Sequence, residues 1–164
     1  MSYSAKTSSL IGTLIAVIAI AVTAALVAPE FSEAGIAENC MDKLCSNLQM
    51  LRAQIELYKV QHHDCPPMRA FDGTIAFDAE FQQMILCTDA DGNPRLRGPR
   101  EKRNALYAFG PYLQSVPENP FNNSRTIVRA HSRSDIPVPG GAGWAYIPET
   151  GEIYANDSAF HGRL

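Results

Sequence analysis

The sequence predicts an α+β protein: a long N-terminal helix, its first half of membrane-spanning length, laid against a small antiparallel β-sheet. Three observations carry this. Residues 10–28 form an apolar run with no charge between Lys6 and Glu30. Beyond Pro29, one apolar stripe recurs at helical spacing as far as Tyr58. The end of the chain reads as short strands punctuated by turns. The 164 residues suffice for one membrane-length helix and one domain of about 100 residues.

Residues 1–7 form a short leader carrying Lys6. The run from Leu10 to Ala28 is long enough to cross a hydrocarbon core of ~30 Å as a helix. A cleaved secretory signal has an apolar region of only ~7–15 residues followed by a small-residue cut site, for which Ser32-Glu33-Ala34 is the nearest match. Lys6 before the run and Glu30, Glu33 and Glu38 after it place the N-terminus in the cytoplasm and the rest outside.

Ala37, Met41, Leu44, Leu48, Leu51, Ile55 and Tyr58 are spaced 4-3-4-3-4-3, one stripe on a helix. Asp42, Lys43, Arg52, Glu56 and Lys59 fall on its other faces. Such a stripe packs on the chain's own domain, although the spacing also suits a two-stranded coiled coil. Pro29 removes one backbone donor and crowds the preceding turn, so it kinks the helix rather than ending it. A helix over 8–62 would then be ~80 Å long. Pro66-Pro67 ends it, and residues 63–164 form the head.

Within the head, Asp72 to Leu86 reads as a second helix, with Phe77, Phe81, Met84 and Ile85 on one core-facing side and Asp72 or Thr74 as its cap. Residues 89–103 are loop-like, and the cluster Arg95, Arg97, Arg100, Lys102 and Arg103 reads as solvated surface or as a contact for Glu30 or Glu33 of a neighbouring copy. Thr126 to Ala130 is a strand. Gly143 to Ile147 and Glu152 to Ala155 form a hairpin around Pro148-Glu149-Thr150-Gly151. Trp144, Tyr146, Ile153 and Tyr154 are the positions expected to meet the helix stripe.

The net charge is −3 and no basic face is evident, so nucleic acid is not an expected partner. Asp89-x-Asp91-x-Asn93 begins like a calcium loop, but Pro94 stands at its sixth position and Arg100 at its twelfth, so an Asp/Asn/Gly turn is the better reading. His62-His63-Asp64-Cys65 lacks a second cluster to complete a metal site, and adjacent histidines diverge. A polar helix end is the better reading there. No Ser/His/Asp, Cys/His or paired-carboxylate set emerges, so an enzyme is not expected. The four cysteines, Cys40, Cys45, Cys65 and Cys87, allow three full pairings. Cys40 and Cys45, five apart on one helix, are too distant to pair with each other.

This order of features resembles the type IV pilins and the pseudopilins of type II secretion. Aligning Pro29-Glu30-Phe31-Ser32-Glu33-Ala34 with the proline and Phe-Ser that follow the family's apolar helix puts Ser8-Ser9-Leu10-Ile11-Gly12-Thr13-Leu14 on its processing segment. Leu51 to Pro67, Thr88 to Asn93, Gly110-Pro111-Tyr112-Leu113, Val116 to Asn122 and Gly143 to Tyr154 are similar to the major-pseudopilin-like branch, in order and spacing.

The resemblance implies a structural subunit that leaves the inner membrane and polymerises through its apolar helix, with itself or other pseudopilins as partners. It implies a membrane peptidase that cuts before Ser8 and methylates it. Thr7 stands where the family has glycine, and Gly12 where it has the glutamate that registers neighbouring subunits. An uncleaved single-pass membrane protein, with a periplasmic binding head that does not polymerise, is the alternative. The resemblance also puts Cys65 and Cys87 where relatives carry aromatic residues, and on that footing a Cys65–Cys87 disulfide is expected. No cofactor is expected from the residues themselves. Relatives carry calcium in loops near the C-terminal sheet, where Asn119, Asn122, Asp135 and Asp157 fall without a recognisable ligand spacing.

Overall fold

The structure, a computed structural model, describes residues 33–95, 106–136 and 140–164. The chain divides into two compact units, Met1–Ile36 and Ala37–Leu164. The run 10–28, Thr7, Ser8, Gly12, Pro29 and the basic residues Arg97, Arg100, Lys102 and Arg103 lie outside the described residues. Among those described, no helix is long and apolar enough to cross a membrane.

Helix α1 spans Glu33–Gln61, about 43 Å at ~1.5 Å per residue. Leu44, Leu48, Leu51, Ile55 and Tyr58 are all essentially inaccessible, so the predicted stripe is the core face. Met41 packs on the core's edge and Ala37 is exposed, so the stripe engages the head from Met41 onward. The helix stops before the prolines. His63 and Asp64 are both left-handed (φ 57° and 61°), and the Asp64 N–H turns back to the Lys59 carbonyl at 2.9 Å, closing the last turn. Pro66 and Pro67 follow as buried packing residues.

The predicted helix over Asp72–Leu86 shrinks to α2, Gln82–Ile85. Short polar side chains capture the backbone N–H groups that a helix would need. Asp72 Oδ1 accepts from Thr74 N–H, and the Asp78 carboxylate accepts from both Glu80 and Gln82 N–H. Gly73 and Phe81 are left-handed, which breaks any helix through them. Phe81 and Met84 are buried as expected, whereas Phe77 is exposed.

The sheet has three strands in the order β1 (Ile127–Arg129), β2 (Trp144–Ile147), β3 (Glu152–Ala155). Strands β2 and β3 form the expected antiparallel hairpin, with Tyr146 opposite Ile153 and Trp144 opposite Ala155. Gly151, at φ 83°, closes the turn by donating to the Ile147 carbonyl at 2.8 Å. The expectation of a wholly antiparallel sheet is corrected at β1, which runs parallel to β2 with Val128 opposite Ala145. Some fourteen residues separate β1 from β2, including a 3-10 turn at Arg133–Asp135, and that length lets the chain cross back rather than turn tightly.

Alternation sorts the hairpin side chains onto two faces. Trp144, Tyr146, Ile153 and Ala155 join the α1 stripe, Phe81, Met84, Leu113 and Ile127 in one core. Tyr154, expected on that face, lies on the opposite one with Ala130 and Ile147, as its place next to Ile153 requires. Polar atoms of the core aromatics find backbone partners: Trp144 Nε1 donates to the Pro117 carbonyl (2.8 Å), and the Tyr146 hydroxyl donates to the Pro67 carbonyl (3.0 Å). Burial pushes the Tyr58 and Tyr146 phenols far up, so both stay neutral donors.

Candidate functional site

The outer side of α1 presents a second apolar row. Met50, Ala53, Leu57 and Val60 recur at 3-4-3 spacing, which puts them on one face. Met50 is 37% exposed, Leu57 44% and Val60 80%. Among the exposed positions of α1 from Ser46 to Val60, only Glu56 is charged, and it is paired with Lys59 at 2.9 Å. A solvated helix face ordinarily carries charges. This row passed unnoticed beside the stronger Leu44–Tyr58 stripe, although its spacing is visible in the sequence.

At the end of α1, His62 and His63 diverge as expected. His62 is buried and stacks on Tyr58, with ring centroids 3.9 Å apart. Its Nδ1 lies 2.9 Å from the Tyr58 carbonyl, and its Nε2 lies 3.0 Å from both the Thr88 hydroxyl and the Asp89 carbonyl. A neutral ring that donates from Nδ1 to Tyr58 accepts at Nε2 from Thr88 and leaves the Asp89 carbonyl without a proton from the ring; a ring that donates from Nε2 serves Asp89 instead of Tyr58. Burial lowers the pKa of His62, against the opposing pull of the carbonyls of Tyr58 and Asp89. His63 is exposed and meets the highly exposed Phe71 edge-on at 6.1 Å. Between them a cleft of about 290 Å³ is lined by Tyr58, His62, His63, Cys65, Phe71 and Asp91.

The Asp89–Asn93 segment is a turn. Asp89 Oδ1 accepts from Asp91 and Asn93 N–H (3.0 and 2.8 Å), and its Oδ2 accepts from the Asn93 amide (3.0 Å). Both carboxylate oxygens are thereby engaged. Gly92 is left-handed and packs against the Tyr58 hydroxyl, where a Cβ would clash. Arg95, the described member of the basic cluster, is half-buried and lies over Tyr107, with its guanidinium carbon 5.8 Å from the ring centroid.

The four residues placed near a calcium site divide. Asn119, fully buried, donates to the Gly143 carbonyl (2.9 Å) and to Asp157 (2.7 Å), while its Oδ1 accepts from Phe121 N–H (3.0 Å). Asn122 donates to the Ala142 carbonyl, and Asp135 accepts from Ser132, both at 2.8 Å. The second Asp157 oxygen bonds His161 Nδ1, and the His161 ring packs tilted against Phe121, centroids 4.1 Å apart. The Asp157–His161 pair was missed in the sequence, where i,i+4 spacing near the chain end was its one signal. It ties the C-terminal segment to the 119–124 loop. Among the described residues, no group of three or more His, Cys, Asp or Glu side chains is arranged to hold a metal.

All four cysteines are free thiols in the structure. Cys87 is buried and its carbonyl accepts from Arg95 N–H, while Cys65 is half-buried on the wall of the His62 cleft. The expected Cys65–Cys87 bond is therefore not formed here.

Comparison with protein-family models, curated proteins and solved structures found no match.

Proposed function

We propose that the chain is a pseudopilin-like structural subunit of a type II secretion or type IV pilus-type filament, anchored in the inner membrane and assembling through its N-terminal apolar helix. The observation that carries this reading is the second, exposed apolar row on α1. The helix uses one face to organise the head and leaves Met50, Ala53, Leu57 and Val60 without a partner among the described residues. A spine helix enclosed by its neighbours' helices has a use for such a row; a helix facing only water does not. The ordered motifs from Ser8 to Tyr154 support the same reading.

The uncleaved, non-polymerising alternative draws on Thr7 and Gly12, which supply neither the small residue before the cut nor the registering carboxylate. Mass spectrometry of the mature N-terminus separates the two. A methylated Ser8 supports the filament subunit, and an intact Met1 supports the membrane-anchored head. Cysteine crosslinking between copies that carry Leu57→Cys, with the four native free cysteines replaced by serine, should give dimers in membranes. Monomer alone would sink the assembly reading.

A further inference from the structure

Arg52 and Arg133 lie far apart in sequence and both approach one aromatic ring. Arg52 projects from α1, with its guanidinium carbon 5.8 Å from the Tyr154 ring centroid. Arg133, on the 3-10 turn between β1 and β2, lies 4.9 Å from the same centroid. Tyr154 forms one wall of a cleft of about 340 Å³, shared with the β2–β3 turn and Leu164. The ring attracts both cations, and both arginines line the same cleft.

Two acidic side chains, Glu56 and Glu152, also line the cleft, and both have partners. The Glu56 oxygens accept from the Lys59 ammonium (2.9 and 3.2 Å), and Glu152 Oε2 accepts from the Thr150 hydroxyl (2.9 Å). The arginines are less satisfied. Arg52 donates from Nη2 to the Ile153 carbonyl (3.1 Å), and Arg133 donates from Nη2 to the Arg163 carbonyl (2.8 Å). Among the described residues neither forms an ion pair. A guanidinium has five N–H donors, so each keeps most of its capacity. Two cations beside one ring repel each other, and an anion between them removes that repulsion while using the spare donors.

We propose that this cleft is a carboxylate-binding site, with Arg52 and Arg133 holding the anion and Tyr154 serving as the platform. Glu56 and Glu152 on its rim disfavour a doubly charged phosphate, whereas a single carboxylate on an apolar stem matches two guanidinium groups beside Tyr154 and Leu164. The ligand is a small free carboxylic acid or an Asp or Glu side chain of a peptide. The site is independent of whether the chain assembles, because one copy contains all of it.

The test is a titration of the full-length protein in non-ionic detergent with three probes: butyrate, the capped peptide acetyl-Gly-Glu-Gly-amide, and inorganic phosphate. It is followed by the arginine Nε–H signals in NMR. We expect saturable shifts of the Arg52 and Arg133 signals with at least one carboxylate probe, weakened by added salt. Arg133→Gln, on an exposed turn, should lower the affinity by about tenfold or more. Arg52→Lys, which keeps the charge but loses the fork, should also weaken it. Response to the peptide identifies a protein side chain as the source, and response to butyrate alone identifies a small molecule. The site is overturned if neither carboxylate gives a saturable shift into the millimolar range, if phosphate binds as tightly as they do, or if Arg133→Gln leaves the affinity unchanged.

Discussion

The two apolar faces of α1 have similar composition and opposite fates. On the inner face Leu44, Leu48, Leu51, Ile55 and Tyr58 are at most 1% exposed and meet Trp144, Tyr146 and Ile153. On the outer face Leu57 and Val60, side chains of the same kind, remain 44% and 80% exposed. Hydrophobicity alone therefore does not decide which face folds the head. What decides is whether a complementary surface exists, and the hairpin supplies one only on the inner side. The outer row, being exposed, buries little apolar surface within a single copy.

Substitutions should separate the two faces by size of effect. The largest is expected at the centre of the inner face: Leu51→Ala leaves a cavity and should cost ~2–5 kcal/mol, read as a drop in the urea midpoint with unchanged slope. Next, Tyr146→Phe removes the hydroxyl that serves the buried Pro67 carbonyl and should cost ~1–3 kcal/mol. If Tyr146→Phe were neutral, the tie between β2 and the end of α1 would be unimportant.

A smaller effect lies at the helix end. The pKa of His62 is lowered in the folded state, so the unfolded chain binds the extra proton more readily. Its contribution to stability is complete above the unfolded value of ~6.5 and is lost as pH falls through that value toward the folded one. Urea midpoints of wild type and His62→Gln compared between neutral and mildly acidic pH should show the steeper acid loss in wild type. The smallest folding effect belongs to the outer face. Leu57→Glu and Val60→Glu should change the stability of the head by no more than ~0.5 kcal/mol. Their effect should appear in crosslinking between copies through a thiol placed at Met50→Cys, which they should abolish. A large loss of stability instead would mean that the outer row is part of the fold.

How far these features were legible in the sequence depended on the range of the interactions behind them. The α1 stripe and the hairpin were readable because periodicities of 3.6 and 2 depend on neighbours a few residues away. The 72–86 segment misled because Phe77, Phe81, Met84 and Ile85 look helical by spacing. Yet the N–H groups of Thr74, Glu80 and Gln82 are taken by aspartates, and Phe81 turns left-handed. The parallel pairing of β1 depends on a crossover that leaves no local mark. The site features followed the same rule. The Asp89 turn and the divergence of His62 and His63 were visible locally, whereas Arg52 and Arg133 about Tyr154 and Asn119 beside Asp157 are meetings between distant segments. The Cys65–Cys87 expectation came from resemblance alone and has no counterpart in the free thiols observed.

Arg52 has one more consequence, seen from the side of the sheet. Strand β3 is an outer strand, and an outer strand offers unpaired backbone groups to any passing extended chain. Here the Ile153 carbonyl on that margin is already occupied by the Arg52 guanidinium. The opposite margin, β1, is only three residues long. Among the described residues neither border offers a long template, which guards the head against strand-by-strand aggregation.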